Sequence, residues 1–146
     1  MKCVAFSAAF IAVAQLGILA FGADNYRQAY NASQETGKPL VVLVGADWCP
    51  GCQMMHNTVM PELAARGALS NVAFAQVNTD REGPLANQLM TGSRIPQLVM
   101  YTKTADGWRV DRMVGAQSPE AVEEFLGRAT TTATVAAVQS SDSPTE

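Results

Sequence analysis

Two cysteines separated by two residues, Cys49 and Cys52, are the side chains of this sequence best suited to chemistry. They follow the apolar run Leu40-Val41-Val42-Leu43-Val44, whose length and β-branched content suit a buried strand. The residues after Cys52, Gln53 to Asn57, read as helix. A cysteine pair where a strand gives way to a helix points to thiol–disulfide exchange. At a helix start the unpaired N–H groups and the positive dipole end favour negative charge, so the first cysteine ionises more readily. The thiolate is the attacking species. Cys49 is therefore the expected nucleophile and Cys52 its resolving partner, passing through a mixed disulfide with the substrate.

A structural disulfide is the bland alternative, but so tight a ring gains little from loop closure, a term that grows with loop length. The single histidine, His56, lies four residues after Cys52, on the same side of a regular helix one turn on. It either tunes Cys52 or is a partly exposed helix residue with no special role. Met54, Met55 and Met60 flank it. Thiolates, thioethers and imidazole make a soft ligand set suited to Cu(I), so Cys49, Cys52 and His56 define an alternative: an extracytoplasmic copper-binding or copper-delivery module. A third reading is an interaction domain without turnover.

The elements that must position the pair follow in order. Asp24 to Thr36 has Tyr26, Ala29, Tyr30 and Ser33 on one helical face, with Asp24 or Asn25 as cap and Gly37 as stop. After the cysteines the helix is expected to run to Asn57 or Thr58, where Pro61 stops or kinks it and begins a new segment. Val72 to Val77 reads as a strand buried on both faces, closed by Asn78-Thr79-Asp80, and Pro84 to Met90 as a short helix. Leu98 to Tyr101 is a third strand. Lys103 to Gly107, with its Asp-Gly signal, turns the chain into the alternating strand Trp108 to Val114. Ser118-Pro119 opens a last helix with Val122, Phe125 and Leu126 as its buried stripe. The two early strands become parallel neighbours through a right-handed crossover. An α/β fold follows: a mixed central sheet with helices on both faces, then a C-terminal β-hairpin and helix.

The chain of 146 residues is long enough for one ordinary domain, and 48% hydrophobic residues with 16% charged ones provide a real core. A net charge of −3 offers no basic footprint for nucleic acid. Residues 1–22 carry Lys2, an apolar run from Val4 to Phe21 and small residues at Ala20 and Gly22, the pattern of a secretory signal peptide cut after Gly22 or Ala23. The run is close to the roughly 18 residues at which an uncleaved membrane anchor becomes possible. Cys3 lies within this segment, so its removal leaves Cys49 and Cys52 alone. Residues 129–146 are small, polar and aperiodic, a disordered tail. The domain is thus expected over residues 23–128.

Trp48-Cys49-Pro50-Gly51-Cys52 after an apolar strand resembles the active-site motif of the thioredoxin-like superfamily. Ile95-Pro96 before the third strand is similar to its cis-proline, Val114-Gly115-Ala116 to its glycine turn, and Asn78-Thr79-Asp80 to its strand ending. The resemblance covers residues 24–128 and implies a thioredoxin-like fold. It also implies that Pro96, after a cis bond, faces the cysteines and that Ile95 offers backbone to an extended substrate. Trp48, Pro50, Gly51 and Gly115 then complete a substrate groove.

Three departures stand out. Cytoplasmic thioredoxins carry a buried aspartate six residues before the first cysteine, where this chain has Leu43, and a lysine on the next strand, where it has Gln76. Asp47, nearby in sequence, lies at the strand's end and is expected to be solvated. The dipeptide between the cysteines is Pro-Gly, against Gly-Pro in thioredoxins. Potentials across this architecture span roughly −270 to −120 mV, so the direction of electron flow stays open.

These readings together imply a thiol–disulfide oxidoreductase, periplasmic or secreted. It would act as a monomer on protein thiols and disulfides with a redox partner that the sequence does not identify. No prosthetic group is needed, because the Cys49–Cys52 dithiol is itself the redox centre.

Overall fold

Five apolar residues in succession, Leu40 to Val44, cannot leave a strand face in water, and the chain places them inside a sheet. The computed structural model describes residues 23–128. The expected signal segment (1–22) and tail (129–146) lie outside the described residues. Strand β1 (Leu40–Gly45) pairs in parallel with β2 (Ala73–Asn78) and antiparallel with β3 (Gln97–Thr104). Strand β4 (Gly107–Val114) pairs antiparallel with β3, giving the order β2-β1-β3-β4. Helix α1 (Ala23–Thr36) precedes the sheet. Between β1 and β2 run α2 (Pro50–Met54), a π-helical turn (Met55–Val59) and α3 (Met60–Ala65). Helix α4 (Gly83–Leu89) joins β2 to β3, and α5 (residues 119–128) follows β4.

Alternation along β1 divides the core in two. Val41 and Leu43, with Leu98 and Met100 of β3, pack under Met55, Val59, Leu63, Val122 and Phe125. Leu40, Val42 and Val44, with Ala75 and Val77 of β2, pack against Ala29 of α1 and Ala86 and Leu89 of α4. The mixed sheet thus carries helices on both faces, with the hairpin and last helix at the C-terminal side. The stripe Val122, Phe125 and Leu126 is buried, and Ser118 Oγ caps α5 by accepting from the Ala121 N–H at 3.3 Å. Among the described residues no helix is long and apolar enough to cross a membrane.

Several local expectations need correction. Pro61 does open a new segment, in the first turn of α3, but the helix does not stop at Asn57 or Thr58; it runs on through the π-helical turn, where the Met60 N–H reaches back to Met55 O. A proline lacks the N–H for a regular bond and its ring crowds the carbonyl four residues earlier. Widening the preceding turn accommodates both effects. Strand β2 is not buried on both faces: Phe74, Gln76 and Asn78 are only half-buried, because β2 is an edge of the sheet. Tyr30 is 45% exposed although Ala29 and Ser33 are buried, and Asp24 and Asn25 lie inside α1. Strand β3 extends to Thr104, so the hairpin turns on Ala105 and Asp106 alone.

Candidate active site

The end of β1 delivers the cysteines to a helix start. The Cys49 N–H donates to Ala46 O, and Cys49 becomes the N-cap of α2 with extended backbone (φ −88°, ψ 115°). Pro50 takes the first helical position, where a missing N–H costs nothing. Cys49 and Cys52 form a disulfide, their Cα atoms 5.2 Å apart. The Cys52 N–H donates to Cys49 Sγ at 3.2 Å, so the sulfur occupies the place a capping oxygen takes in other helices. That contact and the helix dipole favour negative charge on Cys49 Sγ once the disulfide opens. Both cysteines are largely buried.

The opposing wall comes from the segment before β3. The Ile95–Pro96 peptide bond is cis, and Pro96 O accepts from the Gly115 N–H at 2.8 Å. A Cβ on Gly51 would stand 3.3 Å from Ala116 Cβ and 3.4 Å from Pro96 Cδ, so the helix start lies within side-chain contact of that wall. Ile95 packs against Ala46, Cys49 and Cys52. Ile95 thus lies against the disulfide and Pro96 against Gly51 between the cysteines, with Gly115 tied to Pro96 and Pro50 exposed. Gln97 is a residue that sequence reasoning missed. It is fully buried, accepts from the Thr91 N–H at 3.1 Å, and donates to Thr91 O and Arg94 O at 3.0 and 2.8 Å. One side chain thereby ties down the loop that presents Ile95 and Pro96.

Trp48 is 69% exposed and turned towards the loop after β2, its Nε1 donating to Asp80 Oδ2 at 3.0 Å. Asp47 is also exposed; it accepts from Asn78 Nδ2 at 2.9 Å and pairs with Arg81. Asn78 Oδ1 in turn receives the N–H groups of Asp80 and Arg81. The strand ending Asn78-Thr79-Asp80 thus organises the rim on this side.

Beneath Cys52 lies a cleft of about 710 Å³ between the ends of β1 and β2 and the helix that starts at Pro50. Leu43, Gln76 and Gly45 line it, with Cys52 and His56 from the helix and Glu82 from the loop after β2. Leu43 is buried and pairs across to Gln76, so neither brings a charge. Glu82 was not singled out from the sequence, where nothing connects it with a cysteine thirty residues earlier. Met55 and Met60 are core residues at 1% and 2% exposure, and Met55 Sδ accepts from the Gln117 N–H, so these thioethers serve packing. Among the described residues no three His, Cys, Asp or Glu side chains are grouped to hold a metal ion.

Residues 22–103, more than half of the chain, match the family model described as thioredoxin-like. The chain belongs to the thioredoxin-like family. This thioredoxin-like chain is 26% identical over 108 residues to the thiol:disulfide interchange protein DsbD of Ralstonia nicotianae, a match spanning 73% of the chain and 18% of that protein. It is 30% identical over 93 residues to thioredoxin H2-1 of Oryza sativa subsp. japonica, spanning 64% of the chain and 62% of that protein. It therefore covers less than two thirds of either relative. Its fold matches a thioredoxin from Thermus thermophilus with a TM-score of 0.59 at 22% identity, over 70% of this chain and 82% of that one. Fasciola hepatica thioredoxin matches with a TM-score of 0.54 at 26% identity, over 70% and 92%.

Proposed function

We propose that this chain is a thiol–disulfide oxidoreductase acting on protein substrates, with Cys49 attacking and Cys52 resolving. The observation that carries the reading is the Cys49–Cys52 disulfide at a helix start, with Ile95 packed against it and Pro96 beside Gly51. A cysteine at a helix N-cap is chemically primed, and a staple for stability has no use for a shaped wall beside it. The names of the two relatives, a thiol:disulfide interchange protein and a thioredoxin, support the same reaction.

In the reducing direction Cys49 thiolate attacks a substrate disulfide, expelling one substrate thiolate and forming a mixed disulfide. Cys52 then displaces the second substrate thiolate and closes the Cys49–Cys52 bond. The substrate gains two electrons and the protein dithiol loses them; the reverse sequence oxidises a substrate dithiol. Trp48, Pro50, Gly51, Ile95, Pro96 and Gly115 form the groove for the substrate chain in this reading. The dithiol suffices as redox centre. The signal-like N-terminal pattern supports work in the periplasm or outside the cell, as a monomer, with a separate dithiol or disulfide partner restoring the active state.

Reductant-dependent insulin turbidity and oxidation of a reduced dithiol peptide test the reading together. Activity in either assay, lost on Cys49→Ser, is the expected result, and Cys52→Ser should accumulate mixed disulfides through Cys49. A protein inert in both assays would refute it.

A further inference from the structure

Cys52 cannot resolve a mixed disulfide as a thiol; its proton must leave first, and at 6% exposure its way out is through the cleft that it lines. The groups that face it across the cleft decide where that proton goes. Leu43 and Gln76 cannot take it. Asp47 is exposed and already paired with Arg81 and Asn78. His56 lies on the helix itself, one turn beyond Cys52. Glu82 differs from all of these. Its Oε2 accepts from the Asn78 N–H at 2.9 Å, which fixes the carboxylate against the end of β2. Its other oxygen, Oε1, is buried with no hydrogen-bond partner in the protein. A buried carboxylate oxygen left without a donor is uncommon in a folded chain and calls for an explanation. This one belongs to a residue lining the same cleft as Cys52.

Resting on the thiol–disulfide reading above, we infer that Glu82 is the proton acceptor for Cys52, reached through water in the cleft. A water's share of liquid volume is about 30 Å³, so bridging molecules fit readily. The step balances. The Cys52 S–H bond breaks and its proton passes to the Glu82 carboxylate. The Cys52 thiolate attacks Cys49 Sγ, the Cys49–substrate bond breaks as the Cys49–Cys52 bond forms, and the departing substrate thiolate recovers the proton. The unpaired Oε1 is the lone-pair site that receives it. Glu82 thus supplies, from the loop after β2, the acid that β1 lacks at Leu43.

The test reacts fully reduced protein with dithiobis-nitrobenzoate in a stopped-flow instrument across a pH series. The first coloured thiolate reports attack by Cys49 and the second reports resolution by Cys52. Glu82→Gln keeps an oxygen for the Asn78 N–H but cannot accept the proton. It should slow only the second phase, by about a hundredfold near pH 6–7, the low end of what proton transfer to a positioned group contributes. The gap should close above the ordinary thiol range, about pH 8.5, where hydroxide deprotonates Cys52 unaided. If Glu82→Gln does not fold, Glu82→Asp, which withdraws the carboxylate by one methylene, should show a smaller slowing with the same pH dependence. Asp47→Asn and His56→Gln report on the other titratable groups of the cleft. A second phase at the wild-type rate in the Glu82 variants overturns the inference, as does finding that Asp47→Asn or His56→Gln removes the pH dependence instead. Wild-type protein that releases neither thiolate overturns the thiol–disulfide reading and the inference with it, whereas two normal phases in the Glu82 variants overturn the inference alone.

Discussion

Gly45 and Cys52 touch so closely that a Cβ on Gly45 would lie 2.9 Å from Cys52 Cβ and 3.0 Å from its Sγ. Neither backbone is free to retreat. Gly45 is held by its pairing with Asn78 and accepts from the Thr79 N–H at 2.8 Å, while Cys52 sits in the first turns of the helix. Gly45→Ala should therefore push Cys52 aside and destabilise the oxidised protein by about 1–3 kcal/mol, as overpacking does elsewhere. Urea unfolding measures the loss. An unchanged midpoint would show that the helix start yields more easily than these contacts suggest.

Trp48 tests whether the rim serves substrates or stability. It is 69% exposed and makes a single side-chain hydrogen bond to Asp80, so Trp48→Ala should alter stability by less than about 1 kcal/mol. If its ring covers a bound protein chain, turnover of a protein disulfide should fall about tenfold, equivalent to about 1.4 kcal/mol. Turnover of a small aromatic disulfide should hardly change. Equal losses on both substrates would assign Trp48 to the cysteines' own environment.

What could be read ahead of the structure was whatever one local pattern decides. The apolar run Leu40 to Val44 admits only a covered strand, and Cys49 with Pro50 admits only a helix start, so the position of the disulfide was legible. The course of the helix past Pro61 was not, because a π-helical turn is a compromise between proline sterics and the burial of Met55, Val59 and Leu63 in one core. The half-exposure of Phe74 and Gln76 depends on which strand ends the sheet, a property of the whole topology. Glu82 and Gln97 were missed for a related reason. A polar side chain looks solvated until the fold shows what surrounds it.

Gln97 is such a side chain, and its effect can be measured. Its amide holds Thr91 and Arg94 with three hydrogen bonds from a fully buried position between the loop and β3. Gln97→Leu keeps similar bulk but leaves those backbone groups to water. Thr91 and Arg94 are exposed and can be resolvated, so the loss should stay near about 1–3 kcal/mol. Hydrogen exchange should locate the damage: faster exchange at the Thr91 amide, with the β1 amides unchanged. Because the loop presents Pro96, reaction with a protein disulfide should weaken more than reaction with a small one. Uniform loss of protection across the sheet would instead make Gln97 a general core residue.

Two tyrosines should make stability fall at alkaline pH. Tyr26 of α1 and Tyr101 of β3 pack against the same half of the core. Burial holds both phenols above the ordinary tyrosine value of 10.0, and the neighbouring Tyr101 and Tyr30 raise Tyr26 further. Arg112 acts the other way on Tyr101, but burial is the larger influence. A group whose folded pKa is raised contributes stability that is complete below its unfolded value. That contribution is lost as pH rises from 10.0 through the higher folded value, because the unfolded chain gives up protons that the folded one retains. Unfolding midpoints should thus be insensitive to these residues at neutral pH and fall with pH above about 10. Tyr26→Phe and Tyr101→Phe remove the titrating hydroxyl while keeping the ring, so each should flatten the fall and the double variant should flatten it most. Urea titrations across the alkaline range measure the slope directly. A slope unchanged in the double variant would place the alkaline fall in other groups, and a slope reversed in sign would mean that burial of these phenols does not raise their pKa values.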